Sequence, residues 1–165
     1  MQAYQIQTII RDIDLDIQEI TLLSKDEAEA FLSKEQRNLD EIWWLRSGHR
    51  HYVGFADEVW YTGSVSDRRV DVISGVAPAL RISNLSANAL RIGDTIKIGG
   101  ESWQVISDDL AWCNHIIGKS SFRRDHRAPD AMVYEKSDVK QWLENWALGR
   151  GICTTAQIEM MQGRA

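Results

Sequence analysis

Ile42-Trp43-Trp44-Leu45-Arg46-Ser47 is the stretch on which the reading of the fold turns. Aromatic residues in this density suit a pleated, half-buried surface, so the segment reads as a strand. Downstream, Gly48 to Asp57 reads as a loop, and Val59-Trp60-Tyr61-Thr62 followed by Gly63-Ser64-Val65 reads as a second strand and its turn. Val70 to Ile73 and Val76 to Ile82 look like two more short strands, with Gly75 and Pro78 marking where regular pairing is interrupted. Alternation along these strands sends at least two of Trp43, Trp44 and Trp60 into the core.

Upstream lies a polar connector, and before it Ser24 stands three residues ahead of Glu27. That capping-box spacing predicts a helix from Lys25 to Leu32 with Ala28, Phe31 and Leu32 as its buried stripe. Ile13, Leu15 and Ile17 alternate with Asp12, Asp14 and Asp16, the period-two pattern of a half-buried strand, which Tyr4 to Ile10 can extend. Ser83 to Asn88 reads as a turn. Beyond it, Thr95-Ile96-Lys97-Ile98, Gly99-Gly100 and Ser102 to Ile106 spell a hairpin, because paired glycines accept the positive φ of a tight turn. Leu110 to Ile117 gives one more strand.

Ser137 caps a helix over Asp138 to Leu148, in which Val139, Trp142, Leu143 and Trp146 recur at helical spacing and Gly149 supplies a left-handed stop. Thr154 or Thr155 opens a short third helix carrying Ile158 and Met161. The whole is α+β: a mixed or antiparallel set of short strands with two to three helices. At 165 residues, 44% hydrophobic and 26% charged, one domain spanning residues 1–165 is expected. Residues 1–18 form an added N-terminal strand.

The segments Trp43-Trp44-Leu45-Arg46-Ser47, Gly63-Ser64-Val65 and Gly75-Val76-Ala77-Pro78-Ala79-Leu80 resemble a domain family of unknown function abundant in gut bacteria and their phages. Its members carry a WWLRS segment, a G-x-V turn and a closing GVRPAL strand, and upstream an LLS-x-x-EA segment similar to Leu22 to Ala28. Its opening strand and its S-x-x-R-x-WLN helix look like Gly93 to Ile106 and Ser137 to Glu144, but here these come second. The resemblance covers Glu19 to Glu159 and implies a circular permutant, with halves at residues 19–83 and 92–160 and the old ends joined near Ser83 to Asn88. It implies a fold similar to C-type lectins and formylglycine-generating enzymes. First and last strands lie side by side in such folds, so a short turn can rejoin them. Ala77 stands where the family usually has Arg, so any contact of that Arg is lost.

A net charge of −5 argues against a nucleic-acid partner, which needs a basic face. No run approaches the roughly 18 apolar residues needed to cross a bilayer, and Met1-Gln2-Ala3-Tyr4 lacks the features of a secretion signal, so a cytoplasmic place in a bacterial host is expected. Cys113 and Cys153 read as free thiols. Cys113-x-His115 puts a thiol and an imidazole on one strand face, able in principle to bind metal or attack a carbonyl, though two groups do not make a site and a buried structural thiol with a satisfied histidine is the plainer reading. His49 and His51 with Asp57 or Glu58 offer a second conceivable metal set. Asp12-x-Asp14-x-Asp16 lacks the glycine and glutamate of a calcium loop.

There is no nucleophile elbow, phosphate-cradling loop or dinucleotide fingerprint. The expectation is therefore a noncatalytic protein-binding module without cofactor or metal. Its recognition surface would comprise Arg46, His49, Arg50, His51, Tyr52, Trp60 and Tyr61, with Arg123, Arg124 and Arg127 from the one dense basic cluster. The resemblance implies a phage or prophage origin, and inhibition of a bacterial defence protein, as an anti-CRISPR does, is one form of such binding. Carbohydrate binding on a virion and a diverged formylglycine-type enzyme using Cys113 are the alternatives.

Overall fold

In a computed structural model of the chain, residues 8–9, 15–48 and 52–152 are described. Their strands form two sheets. The first has the order β1 (Thr8–Ile9), β8 (Thr95–Ile98), β9 (Glu101–Val105), β10 (Leu110–Trp112), β7 (Ala79–Ile82), β2 (Ile17–Thr21). The second has the order β11 (Gly118–Ser121), β6 (Ile73–Val76), β3 (Trp43–Gly48), β4 (Phe55–Val59), β5 (Val65–Arg69). Pairing is antiparallel except between β1 and β8 and between β3 and β6. Among the described residues three α-helices, α1 (Lys25–Phe31), α2 (Lys34–Arg37) and α3 (Asp138–Gly149), complete an α+β architecture. Among the described residues no helix is long and apolar enough to cross a membrane.

The central strand β3 shows why Trp43 and Trp44 can both be fully buried. Neighbouring strand residues point to opposite faces. Trp43 packs with Leu23, Leu45, Val59 and Trp112 on one side, while Trp44 joins the larger cluster containing Phe122, Val139 and Leu143 on the other. Each indole N–H is satisfied, Trp43 Nε1 by the Arg37 carbonyl at 3.0 Å and Trp44 Nε1 by the Ser120 carbonyl at 2.9 Å.

The sheets exchange strands at two crossings that run side by side. β6 passes to β7 through Ala77 and Pro78, and β10 passes to β11 through residues 113–117. Cys113 N–H donates to the Pro78 carbonyl (2.8 Å) and Ile117 N–H to the Val76 carbonyl (2.9 Å), so the crossings stay paired where neither sheet continues. This corrects two expectations: Val76–Ile82 is not one strand, and Leu110–Ile117 ends as a strand at Trp112 because the chain leaves one sheet for the other. Gly75 lies inside β6 instead of interrupting it, and that strand starts at Ile73, so Val70–Ile73 is not a strand.

Other departures have local causes. The expected loop Gly48–Asp57 already contains the start of β4, whose alternation is hidden in the sequence because the buried position 58 is a glutamate. Trp60 to Gly63 is a turn, not a strand: Trp60 N–H bonds to the Ser64 carbonyl (2.9 Å) and Gly63 adopts φ +84°. The alternating run expected to end at Ile17 instead enters β2 there; residues 10–14 of it lie outside the described residues, as does the expected helix after Thr154. The chain leaves α3 not at Gly149, which is helical, but at Gly151 with φ +67°, where Ile152 N–H reaches the Ala147 carbonyl (3.1 Å) and Gly151 N–H the Leu148 carbonyl (3.1 Å).

The capping box on α1 is present, Glu27 N–H donating to Ser24 Oγ (3.1 Å) and Ser24 N–H to Glu27 Oε1 (3.0 Å). Ala28 and Leu32 are buried, but Phe31 is 41% exposed, because α1 ends at that residue and Leu32 turns back in extended conformation. The polar connector beyond holds α2 with a second capping box, Ser33 to Gln36. Its buried Arg37 donates to the Leu32 carbonyl (3.0 Å) and the Gly63 carbonyl (2.8 Å), closing the end of α1 and pinning the β4–β5 turn.

Glu27 also joins the two sheets. Arg46 of β3 makes a two-pronged contact with its carboxylate at 2.5 and 3.1 Å, and Arg81 of β7 adds a third at 3.2 Å. Burial raises the pKa of this carboxyl, but the hydrogen bonds from Arg46, the Ser24 N–H and Arg81 outweigh it, and the value falls from 4.5 to about 2.

Two outcomes are expected. A methyl at Gly63 would sit 2.0 Å from the Lys34 carbonyl oxygen at a positive φ, so Gly63→Ala should lower unfolding free energy by about 3 kcal/mol in urea titration. Because the Glu27 pKa is depressed in the folded state, its contribution is complete above about 4.5 and is lost as pH falls toward about 2. Glu27→Gln should flatten the acid limb of the stability profile in that window; an unchanged limb would show the clasp to be inert.

Candidate functional site

The residues expected to form one recognition surface fall into separate places. Arg46 is taken up by the clasp: besides Glu27, its Nη1 donates to the Leu22 carbonyl at 2.8 Å. His49, Arg50 and His51 lie outside the described residues. Tyr52 is exposed and rests near Phe55, ring centroids 5.8 Å apart. This segment abuts the basic loop, since a Cβ on Gly54 would meet the His126 carbonyl oxygen at 2.7 Å.

Within the basic loop the three arginines differ. Arg123 folds back on Asp130, Nη2 to Oδ1 at 3.2 Å, and caps that residue's carbonyl. Arg124 reaches into solvent at the mouth of a shallow groove of about 280 Å³ between β11 and α3, lined also by Ser120, Asp138 and Trp142. Arg127 is exposed, its backbone N–H held by Asp125 Oδ1 at 3.2 Å.

Trp60 and Tyr61 sit in the β4–β5 turn, and here a cleft forms. Trp60 is half-buried under the Arg68 guanidinium, 5.0 Å from the ring centroid. Tyr61, Arg68, Glu41, Ile73, Ser74 and Lys119 line a depression of about 120 Å³. Tyr61 and Ile73 are 58% and 68% exposed, so two large apolar side chains flank it without being covered. Lys119 pairs with Glu41 across it at 3.1 Å. Ile73 and Lys119 carry no motif; the β6–β11 register sets Lys119 opposite Gly75 and Ser121 opposite Ile73, and the sheet order brings both to the depression that Tyr61 also lines.

Beneath the cleft Glu58 is fully buried, Ser74 Oγ donating to its Oε2 at 2.5 Å and Arg68 Nε lying 3.1 Å from Oε1. Burial pushes its pKa from 4.5 up to about 7, against the opposing pull of Ser74 and Arg68. His49 and His51, with which the sequence groups it as a conceivable metal set, lie outside the described residues.

A second cluster lies at the sheet crossing. Cys113 Sγ is 3.4 Å from His115 Nδ1 and 3.7 Å from Nε2, and His115 Nε2 is 2.6 Å from Glu101 Oε1. Glu101 Oε2 accepts from Arg150 Nη1 at 2.7 Å, and that arginine also lies over Trp146. Cys113 is a free, buried thiol whose pKa burial and the Glu101 charge push up to about 12. The spacing of Cys113 and His115 is visible in the sequence; the third member, Glu101, is supplied by the hairpin and carries no local signal.

Because the folded-state pKa of Glu58 exceeds its unfolded one, the protonated acid favours folding: this contribution is full below about 4.5 and is lost as pH rises through about 7. Glu58→Gln should gain about 2–3 kcal/mol over the parent at pH 8 and nothing at pH 4, read by urea unfolding at both. Equal offsets at the two pH values would show that Glu58 ionises freely.

Set beside known protein families, curated proteins and solved structures, the chain matches none of them.

Proposed function

We propose that the chain is a noncatalytic protein-binding module whose recognition surface is the cleft at Tyr61 and Ile73. The observation that carries this is two exposed, large apolar side chains flanking a small depression rimmed by Lys119, Glu41 and Arg68. Interface energy concentrates where an aromatic or arginine anchor borders a pocket that one partner side chain can fill. A volume of about 120 Å³ suits such a side chain and is well under the roughly 300–1,000 Å³ typical of small-molecule sites. Tyr52 and the exposed Arg124 and Arg127 extend the surface available for contact.

The finer reading is that of a circularly permuted, C-type-lectin-like domain of phage or prophage origin that acts in the bacterial cytosol on a host defence protein. It rests on the motif resemblance; the expected join near Ser83–Asn88 links β7 to β8 within one sheet, but β9 and β10 lie between those two strands, so they are not side by side as the resemblance implies. Glu27 and Arg46, which fall in the LLS-x-x-EA and WWLRS motifs, pair directly, which gives the co-occurrence of those motifs a physical basis.

Capture from bacterial lysate with wild-type protein, Tyr61→Ala and Ile73→Glu tests this. A specific partner should be retained by the wild type and bound roughly 30-fold more weakly by each variant, at unchanged unfolding midpoint. No partner, or one held equally by all three proteins, would overturn the reading.

A further inference from the structure

We propose that Cys113, His115 and Glu101 form a binding site for a zinc-class divalent cation at the crossing between the sheets. Among the described residues they are the one group of three Cys, His or carboxylate ligands whose donor atoms all lie within 4.8 Å of one another. The donor set of sulfur, nitrogen and oxygen suits a borderline-soft ion such as Zn(II), not magnesium or calcium.

The geometry is close to what such an ion needs. Zn–S near 2.3 Å and Zn–N near 2.0 Å at a tetrahedral angle set sulfur and nitrogen about 3.5 Å apart. Cys113 Sγ lies 3.4 and 3.7 Å from the two ring nitrogens of His115. Glu101 Oε1 lies 2.6 Å from His115 Nε2, so the carboxylate is placed to orient an imidazole that binds the ion through Nδ1.

The cluster is also held in advance. Cys113 is fixed by its backbone bond to Pro78, and Glu101 is only 14% exposed and steadied by Arg150. His115, 46% exposed, opens one side to solvent, which provides an entry path and leaves the remaining positions for water.

The test uses the purified full chain titrated with Co(II), then competed with Zn(II), at pH 7.5. Wild type and Cys153→Ala should each take up one equivalent of Co(II) with a thiolate-to-cobalt charge-transfer band, and Zn(II) should displace it and raise the unfolding midpoint. Cys113→Ala should lack the band, and His115→Ala should bind at least about 100-fold more weakly. Because His115 is exposed, its variant should retain the fold by circular dichroism and keeps the test valid if Cys113→Ala does not fold. Glu101→Gln should lower affinity about 10- to 100-fold. Absence of the band in the wild type, or a band that survives Cys113→Ala, or unchanged affinity in His115→Ala, would overturn the proposal.

Discussion

The Glu27 carboxylate is the point at which the elements of this protein are tied together. One oxygen accepts from the backbone that starts α1 and from Arg46; the other accepts from Arg46 and Arg81. Arg81 in turn reaches Asp109 at 2.8 Å and Glu19 at 3.3 Å. One acidic side chain thus links a helix, the central strand of one sheet and two neighbouring strands of the other. A partly buried charge with three donors is held far more firmly than an exposed pair. Removal of either arginine would leave the others short of a partner in a poorly solvated place.

This constraint bears on recognition. Arg46 is an arginine beside aromatics, the combination that dominates interfaces, yet its guanidinium is spent inside the fold. The side chains that reach solvent come instead from the turns and loops beyond it: Tyr61 between β4 and β5, Ile73 at the start of β6, and Arg124 after β11. The clasp ties the sheets together, and the side chains left exposed sit on the segments beyond it.

The paired crossings explain why the thiol cluster forms where it does. At such a crossing the ladder hydrogen bonds of either sheet run out, and the chain must present its backbone groups to a neighbour making the same passage. Cys113 is anchored by that arrangement, and His115, two residues on, is free to turn toward the hairpin end that carries Glu101. The two ends of the cluster are 12 residues apart for the thiol and 14 for the imidazole, joined only through the β9–β10 pairing.

What the sequence by itself determined is everything that depends on near neighbours. The cap of α1 by Ser24 and Glu27, the hairpin at Gly99-Gly100, the helix from Asp138 and the strand character of Trp43 to Ser47 follow from spacing within a few residues. What only the tertiary structure decided is which side chains meet: that Glu58 is buried in a strand whose pattern it breaks, that Arg46 turns inward, that Ile73 and Tyr61 line one depression, and that Glu101 completes the Cys113 and His115 pair. Backbone preference and hydrophobic period act over one or two turns of chain, whereas these meetings depend on strand register and sheet order, which are set by packing across the whole molecule.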